Sequence, residues 1–264
     1  MKIIDSHCHI HDEDFPIEMS EVFDLMRENS VEKAICVGVD LKNSRRAVEF
    51  CELAGNSAQN IQLFATVGIH PHEAEKVDLE KDFLELRALA KNPKVVAIGE
   101  IGLDYFYENS PREIQQRMLF EQLKIAHELN LPVAFHVRGA FDDFWRVLND
   151  FENQFGKIRG VLHSFTDTSE NLQKALAHGF FIGVNGISTF VKKPEELEMF
   201  AQIPLEKMLL ETDAPFLAPK GKRGKKNQPA WTKLVAEDLA EKRGISIEKI
   251  AEITSKNTEE LFEI

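Results

Sequence analysis

The chain has 264 residues, with 32 lysines and arginines against 44 aspartates and glutamates, so its formal net charge is −12. Its hydrophobic fraction of 43% and charged fraction of 29% are globular values, which exclude a disordered, collagen-like or membrane-spanning chain. Its three cysteines do not form a secreted disulfide framework and its N-terminus lacks an apolar leader, so we expect a soluble, cytoplasmic protein without a membrane partner.

Eight short apolar, β-branched segments recur along the chain, with segments of helical spacing between them. Because these segments are apolar on both faces, they are typical of buried parallel strands. The predicted strands cover residues 2–5, 33–39, 62–69, 95–100, 133–137, 160–163, 180–184 and 208–211.

The clearest helix between these strands is predicted over residues 110–130. Ser110 is expected to cap it, Pro111 suits its first helical position, and Glu113 would complete a capping box with Ser110. An apolar stripe with spacings of three and four residues then consists of Leu119, Leu123, Ala126 and Leu129.

The alternation of eight strands with helices predicts an α/β fold, namely a TIM-like (β/α)8 barrel. Both the strand count and the chain length of 264 residues suit this barrel as a single domain spanning 1–264. An open, doubly wound sheet is the alternative. The chain lacks the glycine-rich turn after the first strand that is typical of nucleotide-binding sheets, which argues against that alternative.

Ionisable residues occur at the ends of five predicted strands. In a parallel barrel these ends supply the loops of one face, where a site is expected. His7 and His9 are two residues apart in the first strand, so both side chains can point to one place while Cys8 faces elsewhere. The other strand ends carry Glu100, His136 with Arg138, His163, and Glu211 with Asp213.

Four histidines and two carboxylates at one mouth are nitrogen and oxygen donors that divalent metals accept. Six donors are too many for one catalytic ion that keeps an open position, but they suit two ions that share a carboxylate. Taken singly, each residue also has an ordinary explanation, such as a hydrogen-bonded pair, a salt bridge or a loop cap. Burying so many ionisable groups together without a metal would be costly, which favours a metal centre.

Three segments resemble the signatures of the TatD family of metal-dependent deoxyribonucleases, within the amidohydrolase superfamily. They are Asp-Ser-His-Cys-His at 5–9, Gly-Glu-Ile-Gly-Leu-Asp-Tyr at 99–105 and Glu-Thr-Asp-Ala-Pro at 211–215. Further matching segments at 68–72, 111–115, 131–138 and 223–229 extend the resemblance in collinear order over nearly the whole chain.

The resemblance implies a TIM-like barrel with two divalent ions, for which Mg, Mn and Zn are the candidates. It implies one ion on His7, His9, Glu100 and Asp213, and a second on Glu100, His136 and His163, with Glu100 bridging. Family members hydrolyse DNA phosphodiesters, typically as exonucleases that trim the 3′ end. The chain departs from the usual family pattern at 138–140 and 163–167, which changes loops at the mouth but no ligand.

Asp213 and Glu100 are the predicted catalytic residues. A water between two cations loses its proton readily, and Asp213 is expected to ligate one ion and to accept or orient that proton. The alternative for Asp213 is a ligand without a role in proton transfer.

Two residues near the ligands are predicted to contact substrate. Arg138 could bind a phosphate through its guanidinium, or it could form a salt bridge with Glu211 or Asp213. His70, at the end of the third strand, could contact the phosphate or support a ligand. Four further histidines fall on predicted loops or helices and are expected to be solvated: His11, His72, His127 and His178.

A basic segment at 220–226, directly after the last strand, has five cations in seven residues. Although such a run is usually a solvated loop, a barrel would place it on the metal-bearing face. There Lys222, Arg223 and Lys225 could bind a phosphate backbone, in contrast to the acidic remainder of the chain.

Together with the metal ligands and the basic segment, the resemblance implies a monomeric, metal-dependent 3′–5′ exodeoxyribonuclease that acts on single-stranded DNA or frayed ends. A metal-dependent amide or ester hydrolase is the first alternative, because an activated hydroxide also attacks carbonyl groups. A non-catalytic, metal-stabilised nucleic-acid-binding protein is the second, and it would predict an incomplete ligand set.

Overall fold

Eight parallel strands follow one another around one sheet in a computed structural model that describes residues 1–54 and 60–264. Each predicted strand overlaps an observed one, so the predicted TIM-like barrel is confirmed. The strands are β1 (Ile3–Cys8), β2 (Val31–Val37), β3 (Gln62–Val67), β4 (Val95–Asp104), β5 (Val133–Arg138), β6 (Gly160–Leu162), β7 (Phe181–Val184) and β8 (Met208–Leu210).

Within residues 1–54 and 60–264, one α-helix follows each strand, and a ninth α-helix ends the chain. Between β3 and α3, between β7 and α7, and between β8 and α8, a short 3-10 helix precedes the α-helix. No helix within the described residues has the length and apolar character needed to cross a bilayer. The helices are α1 (Met19–Glu28), α2 (Leu41–Leu53), α3 (Lys81–Leu89), α4 (Arg112–Leu129), α5 (Phe141–Phe155), α6 (Ser169–His178), α7 (Pro194–Gln202), α8 (Thr232–Arg243) and α9 (Ile247–Phe262).

The barrel closes between the end of β1 and the segment that follows β8. Cys8 forms a parallel bridge with Ala214. The amide of Asp213 donates to the carbonyl of His7 at 2.9 Å, and the amide of His9 donates to the carbonyl of Ala214 at 2.7 Å. This closure places His7 and His9 directly beside Asp213.

The interior of the barrel is apolar and is covered at its N-terminal end by α9. One buried cluster combines side chains from six strands with the end of α9, and these side chains can meet only inside the barrel: Ile35, Val37, Val96, Ala97, Ala134, Val161, Phe181, Leu209, Leu261 and Phe262. Glu259 of α9 forms ion pairs with Lys2 and Lys33, which lie where β1 and β2 begin. The polar ends of the strands therefore face the opposite, C-terminal mouth.

Truncation of Leu261 tests this closure. Its side chain is 2% exposed, and Leu261→Ala would leave a cavity at the end of the interior, so we expect the free energy of unfolding to fall by about 2–5 kcal/mol. Urea unfolding measures the change. The same substitution at Leu84, which is 69% exposed, should change stability by less than about 0.5 kcal/mol. Equal effects of the two variants would contradict the packing of α9 against the interior.

The capping box predicted at the start of α4 is wrong, although the predicted helix is present. The N-cap residue is Pro111, and no side chain caps the helix. The hydroxyl of Ser110 instead accepts from the amide of Glu75 at 3.1 Å and donates to the carbonyl of His72 at 3.0 Å. The hydroxyl that the local pattern assigned to the cap therefore forms tertiary hydrogen bonds instead. These bonds hold the segment after β3 against the segment after β4.

Candidate metal centre

A cavity of about 600 Å³ opens at the C-terminal mouth of the barrel. Five of the six predicted ligands line it: His9, Glu100, His136, His163 and Asp213. The sixth, His7, lies just beneath and is buried. Barrel closure thus brings side chains from five separate strand ends to one place.

His7, His9 and Asp213 form the first group of donors. The two Nε2 atoms of His7 and His9 are 3.3 Å apart, and Oδ1 of Asp213 lies 3.6 Å from the first and 3.4 Å from the second. Nδ1 of His9 donates to the carbonyl of Val37 at 2.9 Å, which leaves the Nε2 lone pair facing the group. Cys8 points away, as predicted, with Sγ 3.4 Å from the carbonyl of Ile35.

His70, Glu100 and His136 form the second group. Oε1 of Glu100 lies 2.8 Å from Nδ1 of His136 and 3.8 Å from Nε2 of His70. The other carboxylate oxygen, Oε2, lies 3.4 Å from Nε2 of His7 in the first group. Glu100 therefore directs one oxygen to each group, which is the arrangement that a bridging carboxylate needs.

His163 lies between the two groups. Its Nε2 is 3.8 Å from Oε1 of Glu100 and 3.9 Å from Oδ1 of Asp213, and its ring stacks on His7 with centroids 3.6 Å apart. The structure thus brings all six predicted ligands together. It also brings in His70, which the sequence suggested only as a phosphate contact or a support.

The donor set fits divalent ions. Around an ion about 2.1 Å from each ligand, neighbouring ligand atoms are about 3.0–3.4 Å apart. The first group, at 3.3–3.6 Å, needs only small shifts to reach that spacing. Imidazole nitrogens with carboxylate oxygens suit Zn and Mn, and the carboxylates suit Mg.

Buried charges of opposite sign stabilise each other in this cluster. Burial raises the pKa of Glu100, but the surrounding charges of His163 and His7 outweigh burial and hold that pKa well below its usual range. Burial lowers the pKa of His136, but its hydrogen bonds to Asp104 and Glu100 outweigh burial and raise that pKa to about 8. The cluster is therefore a site for positive charge, which protons supply in the metal-free protein.

Two carboxylates outside the predicted ligand set orient the histidines of the site. Oδ2 of Asp104 lies 3.0 Å from Nε2 of His136 and 3.0 Å from Nε2 of His72. Oε1 of Glu211 lies 3.0 Å from Nδ1 of His163 and accepts from the amide of Ser164 at 2.7 Å. Such carboxylate–histidine contacts orient metal ligands and increase their basicity.

A signal for Asp104 is present in the sequence, but it lies beyond the predicted end of the fourth strand. That strand continues to Asp104 instead of ending at Glu100. Because residues two apart in a strand share a face, Asp104 follows Glu100 on the same side of the strand. The sequence prediction places Glu211 at a strand end, but as a possible partner of Arg138 and not as a carboxylate that orients His163.

Replacement of Asp104 by asparagine tests its orienting role. The amide side chain would keep the oxygen that accepts from the backbone amides of Phe106 and Tyr107, but it would lack the negative charge beside His136. We expect metal affinity to fall by about 10–100-fold. Isothermal titration with Mn or Zn measures this. The control is Asp150→Asn on the exposed face of α5, and equal affinities in both variants would show that Asp104 does not act on the ligands.

Arg138 does not form the salt bridge considered as an alternative. Its exposed guanidinium lies over the rings of Phe106, at 4.0 Å, and Tyr107, at 4.9 Å. Within the described part of the chain it has no ion pair with Glu211 or Asp213. It lines the mouth, and two aromatic rings hold its charge there.

The basic segment 220–226 lies on the mouth face, as the barrel requires. Nδ2 of Asn227 donates to the carbonyls of Thr212 and Phe216 and anchors the loop that follows β8. Arg223 and Lys225 line a second cavity that shares Leu217 with the mouth. Lys222 lies over Trp231, 5.3 Å from the ring centroid.

The expectation that His11 is solvated is wrong. It is 1% exposed, Nε2 contacts Oδ1 of Asn43 at 2.9 Å, and burial lowers its pKa to about 4. Helix α2, which carries Asn43, covers this ring. His72 and His178 are also partly covered, by Asp104 and Trp145, whereas His127 is exposed.

Several known proteins resemble this chain over most of its length. A family model described as TatD related DNase matches residues 4–263. The metal-dependent hydrolase YabD of Bacillus subtilis is 35% identical over 263 residues, 99% of each chain. The 3′-5′ ssDNA/RNA exonuclease TatD of Escherichia coli is 36% identical over 238 residues, 87% of each chain. The crystal structure of the TatD homologue YjjV from Escherichia coli superposes with a TM-score of 0.88 at 30% identity and covers 99% of this chain and 98% of that one.

Proposed function

Because this chain belongs to the family of TatD-related DNases and is a metal-dependent hydrolase, we propose that it removes nucleotides from the 3′ end of DNA at a centre of two divalent ions. The geometry of Glu100 is the observation that carries the proposal, since its two oxygens face two separate groups of donors. The 3′–5′ polarity is carried over from the Escherichia coli relative, whose name also includes RNA.

In this proposal the predicted ligands would hold two ions. His7, His9, Glu100 and Asp213 would hold the first ion, and Glu100, His136 and His163 would hold the second. When bound, the ions lower the pKa of a water molecule and neutralise charge on the phosphoryl oxygens. Mg, Mn and Zn all suit this donor set.

Asp213 and His70 are the residues that act on the water and the phosphate. Oδ1 of Asp213 contacts His9 and lies on the wall of the mouth, where the carboxylate accepts or orients the proton of the attacking water. Nδ1 of His70 accepts from the amide of His72 at 3.2 Å, and burial lowers the pKa of His70 to about 3. The neutral ring therefore carries its proton on Nε2, so in this proposal His70 lies beside the second ion's ligands and donates to a phosphoryl oxygen instead of ligating the ion.

In this proposal, cations on two sides of the mouth bind the DNA strand. Arg138, held over two aromatic rings, presents its guanidinium to a phosphate on one side. Arg223 and Lys225 lie on the other side, beyond Leu217, and Lys222 lies near them in the same loop, over Trp231. A mouth of about 600 Å³ has the volume of a small-molecule site, about 300–1,000 Å³, which favours a single strand or a frayed end over a duplex.

End-labelled oligonucleotides test the proposal. We expect metal-dependent shortening of 5′-labelled single-stranded DNA into a ladder, and immediate release of mononucleotide from 3′-labelled DNA. The same assay with blunt duplex DNA, frayed duplex DNA and RNA of the same sequence identifies the preferred substrate. Each substrate is tested with Mg, Mn and Zn. Absence of DNA cleavage together with metal-dependent hydrolysis of an amide or ester would favour the amide or ester hydrolase instead.

Removal of the basic segment's charge should weaken DNA binding. With Lys222, Arg223, Lys225 and Lys226 replaced by alanine, we expect a lower affinity for DNA. The slope of the logarithm of the binding constant against the logarithm of the salt concentration should become shallower by about 0.7 for each phosphate that these cations neutralise. Fluorescence anisotropy with a single-stranded oligonucleotide measures both. The control replaces four exposed lysines at the opposite end of the barrel, Lys91, Lys157, Lys249 and Lys256. If both variants bind with the wild-type salt slope, the segment does not contact phosphate.

A further inference from the structure

A second cavity, of about 480 Å³, lies beside the mouth. We call it the side pocket and define it by the residues that line it: Ile187, Phe190, Pro215, Leu217, Ala218, Arg223, Gly224 and Lys225. One wall is the 3-10 helix that follows β7, and the other is the loop that follows β8. Because Leu217 also lines the mouth, the two cavities are neighbours.

The two walls of the side pocket are joined to each other. The amide of Lys220 donates to Oγ1 of Thr189 at 2.8 Å, and that hydroxyl donates to the carbonyl of Gly186 at 2.7 Å. A Cβ at Gly186 would lie 2.1 Å from the carbonyl oxygen of Leu217, so only glycine allows this close approach. The pocket is therefore formed before any ligand enters.

The lining of the side pocket combines an apolar wall with a basic rim. Phe190 is 39% exposed and Ile187, Leu217 and Ala218 extend its apolar surface. Arg223 and Lys225 lie at the rim, are exposed, and form no ion pair within residues 1–54 and 60–264. A ligand that fits has a flat apolar face and a negative charge, which is the chemistry of a nucleotide.

The position of the side pocket relative to the metal centre indicates which nucleotide it takes. Phe216 is in edge-to-face contact with His9, with centroids 6.3 Å apart, and lines the mouth. The next residue, Leu217, lines both cavities. A DNA strand with one phosphodiester at the metal centre would pass Phe216 with a nucleotide that flanks this bond and would reach the side pocket with the next nucleotide.

We propose that the side pocket binds the nucleotide next to the two that flank the cleaved phosphodiester, with its base against Phe190 and its phosphate on Arg223 and Lys225. This inference depends on the proposed action on DNA and adds a subsite to it. Stacking of a base on an aromatic ring tolerates any sequence, so the subsite selects for strand length and not for base identity.

Binding of short oligonucleotides to the metal-loaded protein tests the subsite. The probes are a dinucleotide and a trinucleotide with phosphorothioate linkages and 2-aminopurine, whose fluorescence falls on stacking. We expect the wild type to bind the trinucleotide about 5–150-fold more tightly than the dinucleotide, the range for one base–aromatic stack. Phe190→Ala should remove this preference and the quenching, and Phe190→Trp should retain both.

Phe155 provides the matched control. It is 38% exposed, close to the value for Phe190, and it ends α5 at the opposite end of the barrel. Phe155→Ala should keep the preference for the trinucleotide. Equal preferences in Phe190→Ala and Phe155→Ala, or no preference in the wild type, would overturn the subsite. Loss of cleavage with the trinucleotide preference intact would instead overturn the proposed hydrolysis.

Discussion

Replacing Glu100 by glutamine is expected to lower DNA hydrolysis by about 10³-fold or more. Oε1 of Glu100 lies 2.8 Å from Nδ1 of His136, and Oε2 lies 3.4 Å from Nε2 of His7, so both oxygens face ligand groups. Glutamine keeps the shape of the side chain but has no charge and offers one oxygen in place of two. We expect the variant to lose at least one of two bound ions.

Steady-state kcat/KM and elemental analysis of the dialysed protein measure these effects. Glu113→Gln, an exposed position at the start of α4, makes the same chemical change and should leave both values as in the wild type. If Glu100→Gln retained more than a tenth of the activity and two ions per chain, Glu100 would not be a bridging ligand.

Removal of the metal is the second change with a large expected effect. Chelation should reduce hydrolysis to the background level, because the ions supply both the activated water and the charge that neutralises the phosphate. Stability should fall as well, since a ligand at 100 times its Kd stabilises the folded state by about 2.7 kcal/mol. For a chain of this size that corresponds to a melting temperature lower by about 5–10 °C.

The physical reason for the stability change is the cluster of buried charges at the mouth. Glu211 and Glu100 overcome the effect of burial and raise the pKa of His163 to about 10, so protons take the place of metal when it is removed. Addition of Mg, Mn or Zn should restore both activity and melting temperature. A chelator saturated with metal beforehand serves as the control. Full activity in protein with less than about one ion per ten chains would contradict a metal-dependent mechanism.

Local sequence patterns were sufficient to predict the strands and the direction of their side chains. The apolar segments become parallel strands because burial on both faces requires side chains that are apolar on both faces. The same period of two residues predicted that His7 and His9 point together and Cys8 points away, and the structure confirms this. In contrast, the cap predicted at Ser110 failed because Glu75 and His72, distant in sequence, take its hydroxyl.

The sequence by itself determined which residues stand at the strand ends, because strand period, apolar pattern and motif spacing are local properties. Only the tertiary structure decided how those ends meet: Glu100 directs one oxygen to each donor group, Asp104 joins His72 to His136, and the loop after β8 packs against Gly186. These distances depend on the closure and register of eight strands. No pattern within one segment contains that information, since each contact joins segments that come together only when the barrel closes.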